Sequence, residues 1–156
     1  MIKYEIPGNG VIKISNVIID FNGTIAEDGK LIEGVEELLS SLSENVKIFI
    51  ATADTYGTVK QQCQKLPVEL ATFPSSKAAI SKKLLLEELD SKSCACIGNG
   101  YNDGEMMSVA ALSIAVIGNE GLSTVSIRNA DIIAPNIHSA LNILLKPERI
   151  KATLRH

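Results

Sequence analysis

Apolar runs that end abruptly at polar, turn-forming residues recur along this chain and alternate with segments of helical spacing. That alternation leaves few architectures open. The runs are Val17 to Ile19, Val46 to Ile50, Val68 to Phe73, Cys94 to Ile97 and Leu112 to Ile117. Between them, Val35, Leu38, Leu39 and Leu42 fall at i, i+3, i+4 and i+7, as do Ile137, Ala140, Leu141 and Leu144, which is the spacing of one helix face. Strands buried on both faces, connected by helices, predict an α/β fold with a doubly wound parallel sheet. Ahead of the first run, Ile2, Tyr4 and Ile6 alternate with polar residues, as do Ile12 and Ile14, around Pro7-Gly8-Asn9-Gly10. This reads as a β-hairpin. The expected organisation is a single domain over residues 1–156, with an N-terminal hairpin (1–15), a core (16–145) and a tail (146–156).

The 156 residues suffice for one substantial core, and an apolar share of 46% with only 4% aromatics makes that core aliphatic. A net charge of -3 offers no broad basic surface, so nucleic acid is not expected as a partner. No apolar stretch approaches the length that crosses a bilayer, and the first residues, Met1-Ile2-Lys3-Tyr4-Glu5, lack the apolar segment of a signal peptide. The expectation is a cytoplasmic protein that does not enter the membrane. Cys63, Cys94 and Cys96 are odd in number and two lie within a strand-like run; structural thiols explain them better than a soft-metal site, because only His138 and His156 could complete one.

Four positions carry possible chemistry. Asp20 ends the run Val17-Ile18-Ile19 and is followed by Phe21-Asn22-Gly23-Thr24, so a buried strand delivers a carboxylate to the end of a sheet where open α/β folds bind ligands. It is a candidate nucleophile, or simply the start of a turn. Thr52 ends the next run and precedes Ala53-Asp54; its hydroxyl could donate to a phosphate oxygen or cap a helix. Lys77, in Pro74-Ser75-Ser76-Lys77, could neutralise phosphoryl charge or be solvated. Gly98-Asn99-Gly100-Tyr101-Asn102-Asp103 gathers oxygen-bearing side chains suited to a hard cation, or is a glycine turn capped by Asn102. The third glycine of a dinucleotide fingerprint is missing.

In this order the four segments resemble the haloacid dehalogenase superfamily of aspartate-nucleophile phosphotransferases, and within it the small soluble relatives of the P-type ATPases. Asp20-Phe21-Asn22-Gly23-Thr24 resembles the family's Asp-x-Asp-Gly-Thr, Thr52-Ala53-Asp54 the Thr-Gly-Asp of the pumps, Pro74-Ser75-Ser76-Lys77 the Pro-x-Asp-Lys, and Gly98-Asn99-Gly100-Tyr101-Asn102-Asp103 the Gly-Asp-Gly-x-Asn-Asp. The likeness spans about residues 16 to 145. It implies a Rossmannoid, haloacid-dehalogenase-like core and an aspartyl-phosphate formed on Asp20. It further implies phosphate binding by Thr52, Ala53, Lys77 and Asn102, with Mg²⁺ held by Asp20, the backbone carbonyl at Asn22, Asn99 and Asp103. The implied catalytic set is Asp20, Asn22, Thr52 and Lys77.

Two departures shape the expected activity. The family's second aspartate protonates the leaving group and activates water, which an amide at Asn22 cannot do; losing such help costs about 10² to 10⁴ in rate. Phosphorylation of Asp20 by a donor with a good leaving group survives, whereas release of phosphate should be slow. Asn99 removes a carboxylate ligand and should weaken the metal site.

The intervals from Asp20 to Thr52 and from Thr52 to Lys77 have room for one helix and for a helix with a strand, respectively, so neither accommodates the cap domain found in many superfamily members. Ala26-Glu27-Asp28-Gly29-Lys30-Leu31 could form only a short flap with an Asp-Gly turn. An uncapped site is expected to be open to solvent unless a homo-oligomeric neighbour covers it. The tail from Leu145 to His156 reads as a solvated end, or as a source of arginines for a neighbouring subunit's site. The substrate is expected to be a small-molecule or macromolecular phosphate ester or phosphoanhydride. The main alternative is a regulatory protein on the same fold that responds to phosphate with little or no catalysis. A response-regulator receiver also combines Asp, Thr and Lys, but its early acidic pair is missing here.

Overall fold

A computed structural model describes residues 1–156. In chain order, the antiparallel pair β1 (Ile2–Ile6) and β2 (Gly10–Ile14) leads into β3 (Asn16–Ile19), the two-residue strands β4 (Ala26–Glu27) and β5 (Lys30–Leu31), and α1 (Val35–Ser43). Then come β6 (Lys47–Thr52), α2 (Val59–Gln62), β7 (Glu69–Thr72), α3 (Ala78–Glu88), β8 (Cys94–Gly98), α4 (Gly104–Met107) and β9 (Leu112–Val116). The chain finishes with α5 (Thr124–Asn129), β10 (Ile132–Ala134), α6 (Ile137–Leu145) and α7 (Pro147–Leu154).

Six parallel strands make the central sheet in the order β10-β9-β8-β3-β6-β7. Successive residues of a strand point to opposite faces, and the core divides accordingly. Val17, Ile19, Ile48, Ile50, Ala95, Ile97, Ile114 and Val116 face the layer of α1 and α6. Ile18, Phe49, Ala51, Cys94, Cys96 and Ala115 face α3 and α4. The inner strands are therefore mainly apolar on both faces, as burial there requires, whereas the edge strand β7, with Glu69 and Thr72, is largely exposed. Cys94 and Cys96 lie on one face of one strand as free, buried thiols, and Cys63 is buried and free as well.

Both periodic segments fold as expected. In α1 the buried side chains are Val35, Leu39 and Leu42, and in α6 they are Ile137, Ala140, Leu141 and Leu144. The N-terminal hairpin docks on the outside of this layer through Tyr4, which is fully buried and donates its hydroxyl to Leu144 O at 2.7 Å. The tail differs from the expected solvated end. Pro147 opens α7, where its missing N–H and fixed φ suit a first helical turn, and the helix buries Ile150 against β1. His156 N closes the contact by donating to Pro7 O at 3.2 Å.

Candidate active site

Register places the first group. Ile19 pairs with Ile50 of β6 and Ile97 of β8, and the Asp20 N–H donates to Ile97 O at 2.9 Å. Asp20 thus leaves the middle of the sheet at its carboxyl end, one step below Thr52 on one side and Asn99 on the other. The chain then turns sharply: the N–H groups of Thr24, Ile25 and Ala26 all donate to Phe21 O, and Gly23 sits at φ 78°. A Cβ on Gly23 would lie 2.4 Å from Asn99 Nδ2. The glycine is needed both for the turn and for the approach of Asn99. Thr24 Oγ1 lies 3.1 Å from Asn99 Oδ1 and, more loosely, 3.5 Å from Asp20 Oδ2.

The lysine beside Asp20 is Lys82, not Lys77. Lys77 ends a 3₁₀ turn (Ser75–Lys77), is exposed and takes part in no ion pair. Lys82 lies one and a half turns further, on the face of α3 that also buries Ala78 and Leu86. Its ammonium donates to Asp20 Oδ1 and to Asp103 Oδ1, each at 2.6 Å, and it is 0% exposed. Burial alone would pull the Lys82 ammonium down, but the charges of Asp20 and Asp103 outweigh it and hold the group above the usual lysine range. Burial first, and then the charge of Asp103, push Asp20 up to about 7 against the pull of Lys82.

Asp103 is fully buried and already engaged at both oxygens. Oδ1 takes the Lys82 ammonium, and Oδ2 accepts from the N–H groups of Asn99 at 3.0 Å and Gly100 at 2.8 Å. A Cβ on Gly98 would stand 2.4 Å from Asp103 Oδ2, so a glycine at the end of β8 makes room for the carboxylate. The geometry makes Asp103 a partner that fixes Lys82 and the Gly98–Gly100 turn. Both of its oxygens are hydrogen-bonded within the protein, which makes it a less available metal ligand than Asp20 Oδ2.

Thr52 sits as expected at the end of β6, 2% exposed. Its Oγ1 accepts from the Asp54 N–H at 3.0 Å, which leaves the hydroxyl proton free to donate. Asp54, at φ 47°, accepts through Oδ1 from the N–H groups of Thr58 and Val59 and so caps α2. Ala53 is half-buried between them, and Asn102 is half-buried beside Gly100 with its side chain in no hydrogen bond within the protein.

The oxygen donors left for a hard cation are Asp20 Oδ2, the main-chain carbonyl at Asn22, and the amide oxygens of Asn22 and Asn99. Asn22 Oδ1 is buried and is the one buried side-chain polar atom with no hydrogen-bond partner. Such an orphan is costly unless something donates or coordinates to it. All-oxygen donors with one carboxylate fit Mg²⁺, which keeps several waters and shares its sphere with substrate phosphates. They hold few of the charges that tight binding uses.

The flap is tied down on both sides. Asp28 and Gly29 adopt φ 49° and 76° at the tip of the β4–β5 hairpin, the left-handed pair that a two-residue turn needs. On one side Asn119 Nδ2 donates to both Glu27 carboxylate oxygens, at 2.9 and 3.0 Å, and the Asp28 N–H donates to Glu120 Oε1 at 2.7 Å. On the other, Thr58 Oγ1 donates to Gly29 O at 2.6 Å and the Leu31 N–H to Gln62 Oε1 at 2.9 Å. The hairpin is thereby strapped to the loops after β9 and β6. Asp20 is 6% exposed and Asn99 8%. A cavity of about 300 Å³ runs along the β9–β10 side of the flap, lined in part by Thr24, Glu27, Asn119 and His138.

A Rossmannoid parallel sheet with an aspartate at the end of its central first strand, a buried lysine and no cap domain defines a class of protein. The same fold is found in solved structures. An HAD (haloacid dehalogenase) family hydrolase from Streptomyces avermitilis superposes with a TM-score of 0.70 at 16% identity, covering 88% of each chain. The 3-deoxy-D-manno-octulosonate 8-phosphate phosphatase from Moraxella catarrhalis, solved with magnesium, phosphate and KDO, gives 0.67 at 17% identity over 89% of this chain and 90% of that one. In sequence, an uncharacterized protein of Methanocaldococcus jannaschii is 42% identical over 94 residues, 58% of this chain and 99% of its own length. A soluble P-type ATPase-like phosphatase of the same organism is 28% identical over 126 residues, 79% of this chain but only 46% of that protein. No family model matches the chain. The chain therefore has the haloacid-dehalogenase-like fold without a cap domain, and over 126 residues its sequence is similar to that of the soluble P-type ATPase-like phosphatase. No helix is long and apolar enough to cross a membrane.

Proposed function

We propose that this protein is a phosphohydrolase or phosphotransferase that works through an aspartyl-phosphate on Asp20, and that it releases phosphate slowly. The observation that carries the reading is the Asp20–Lys82–Asp103 cluster at the carboxyl end of the sheet, with the Thr52 hydroxyl beside it. An ionised Asp20 oxygen attacks phosphorus, the bond from phosphorus to the leaving oxygen breaks, and that oxygen takes its proton from solvent. Lys82 and Thr52 hold the phosphoryl oxygens as charge shifts toward the leaving group. Water then attacks phosphorus, the bond to Asp20 breaks, and inorganic phosphate leaves with the carboxylate restored. Asn22 can neither give nor take a proton in these steps. The slow second step follows from that.

The relatives supply the class of substrate. The Moraxella protein is by its description a phosphate-ester phosphatase solved with magnesium, and the Methanocaldococcus protein is described as a phosphatase. By that likeness the present chain takes a phosphate ester or phosphoanhydride and uses a divalent cation, Mg²⁺ fitting the oxygen donors at Asp20, Asn22 and Asn99. Bound there, the cation would neutralise phosphoryl charge. A second reading, a phosphate-responsive regulator with little turnover, is favoured by the orphaned Asn22 Oδ1 and by the amide at Asn99.

The deciding experiment is phosphate release from an activated aryl phosphate with Mg²⁺, alongside Asp20→Asn and metal-free controls, and repeated with Asn22→Asp. Turnover lost in both controls and raised by Asn22→Asp supports the enzyme reading. No turnover in any sample, with Asn22→Asp also inert, overturns it in favour of the regulator.

A further inference from the structure

The cluster holds two carboxylates and one ammonium. Lys82 lies 2.6 Å from both Asp20 Oδ1 and Asp103 Oδ1, so a single net negative charge remains. Asp103 is less available than Asp20, because its Oδ1 accepts from Lys82 and its Oδ2 from the Asn99 and Gly100 N–H groups. A dication entering this site meets one free anionic oxygen, Asp20 Oδ2, held only loosely at 3.5 Å by Thr24 Oγ1. Its remaining side-chain partners are the neutral oxygens of Asn99 and Asn22, the latter buried without a donor. Stripping water from Mg²⁺ is costly, and its affinity for a site depends on how many ligand charges the site offers. A phosphate arriving without the cation is no better placed, since its charge meets that of Asp20 and only Lys82, already shared, opposes it.

We infer that the cation and the phosphorylated ligand enter this site as a pair, each bound weakly alone and each strengthening the other, because amides at positions 22 and 99 leave the phosphate to supply the charge a metal needs. The inference rests on reading Asp20 as the phosphoryl acceptor. Reciprocity follows from linkage: if phosphate tightens the metal by some factor, the metal tightens phosphate by the same factor. Adding a carboxylate at either amide position should let the metal bind alone and shrink the coupling. Asn22→Asp is the cleaner variant, since the Asn22 oxygen has no partner to lose. Asn99→Asp gives up the hydrogen bond from Nδ2 to Gly121 O, 3.0 Å in the native chain.

The test is calorimetric titration of the full chain with Mg²⁺, with and without inorganic phosphate, and with phosphate, with and without Mg²⁺. A tightening of about tenfold or more in both directions is expected, within the range of ordinary coupling between sites. In Asn22→Asp the metal should bind without phosphate and the factor should fall. Equal metal affinity with and without phosphate overturns the inference, as does the absence of metal binding in both arms. Turnover is a separate readout: coupling without turnover leaves this inference standing and counts against the catalytic reading, whereas turnover without coupling does the reverse.

Discussion

The Lys82 ammonium lies 2.6 Å from Asp20 Oδ1, and the same nitrogen lies 2.6 Å from Asp103 Oδ1. A lysine on α3 therefore joins the ends of β3 and β8, and the charge balance of the interior depends on it. Lys82→Met should lower unfolding free energy by about 3–5 kcal/mol, because it strands two buried carboxylates without their cation. Stranded carboxylates bind protons more tightly when folded than when unfolded, so the loss should be largest at neutral pH and shrink as pH falls. Lys77→Met, on the exposed turn, should change stability by less than about 0.5 kcal/mol. Urea denaturation of both variants at several pH values checks this, and equal effects would show that the cluster does not hold the fold.

Asp20 must be ionised to attack, and its burial beside Asp103 pushes it up from 3.8 to about 7. In the metal-free protein Asp20 should therefore titrate near 7, and a cation at Oδ2 should lower that midpoint, so that phosphoenzyme formation with Mg²⁺ rises with pH to a plateau reached below the metal-free midpoint. The sign for stability follows from the same shift. A carboxyl raised in the folded state favours folding below its unfolded value, and that contribution is lost as pH rises through about 7. An Asp20 midpoint near the ordinary aspartate value in the metal-free protein, followed by carboxyl NMR, would contradict the buried geometry.

Gly98→Ala introduces a Cβ 2.4 Å from Asp103 Oδ2 and 2.5 Å from its Cγ. Asp103 must move, and with it the N–H contacts from Asn99 and Gly100 and the grip on Lys82. The expected cost is about 1–3 kcal/mol of stability, as for other overpacked interiors, together with loss of phosphoenzyme. A thermal melt and a phosphorylation assay on one preparation measure both. Retention of both would place Asp103 outside the working site.

The flap is held by few bonds, so single substitutions should loosen it. Thr58→Ala removes the 2.6 Å bond to Gly29 O, and Glu120→Ala removes the acceptor of the Asp28 N–H. Each net hydrogen bond is worth about 1 kcal/mol. Amide exchange in residues 26–31 should accelerate about fivefold while β3 and β8 stay protected. Unchanged exchange in the hairpin would mean that the straps carry no weight.

Much of the architecture was legible because burial on both faces leaves a plain trace. A strand between two helical layers has to be apolar at every position, so Val17–Ile19, Ile48–Ala51 and Cys94–Ile97 announced themselves, and Asp20, Thr52 and Asn99 stood out as the polar residues that end them. Lys82 was not legible in the same way. The apolar residues of α3 surround the helix, with Ile80 and Leu84 exposed, so no stripe marks the inner face on which Ala78, Lys82 and Leu86 lie. The one available signal was that four-residue spacing around a lysine, and Pro74-Ser75-Ser76-Lys77 matched the expected motif more plainly. The docking of the tail was hidden for a related reason. Arginines and lysines surround the single anchoring Ile150, and only the hairpin brought from the opposite end of the chain gives that side chain a place to bury.

The sequence by itself determined the strand–helix alternation, the aspartate at the end of the first core strand and the amides at positions 22 and 99, because these depend on residue identity and local spacing. The tertiary structure decided which lysine neutralises Asp20, that Asp103 binds Lys82 and two backbone amides, and that the six-residue flap is strapped down on both sides. Each of those depends on charges and hydrogen-bonding groups far apart in the chain being brought together out of water, where an unpaired charge costs more than the packing of Ile80 and Leu84 could recover.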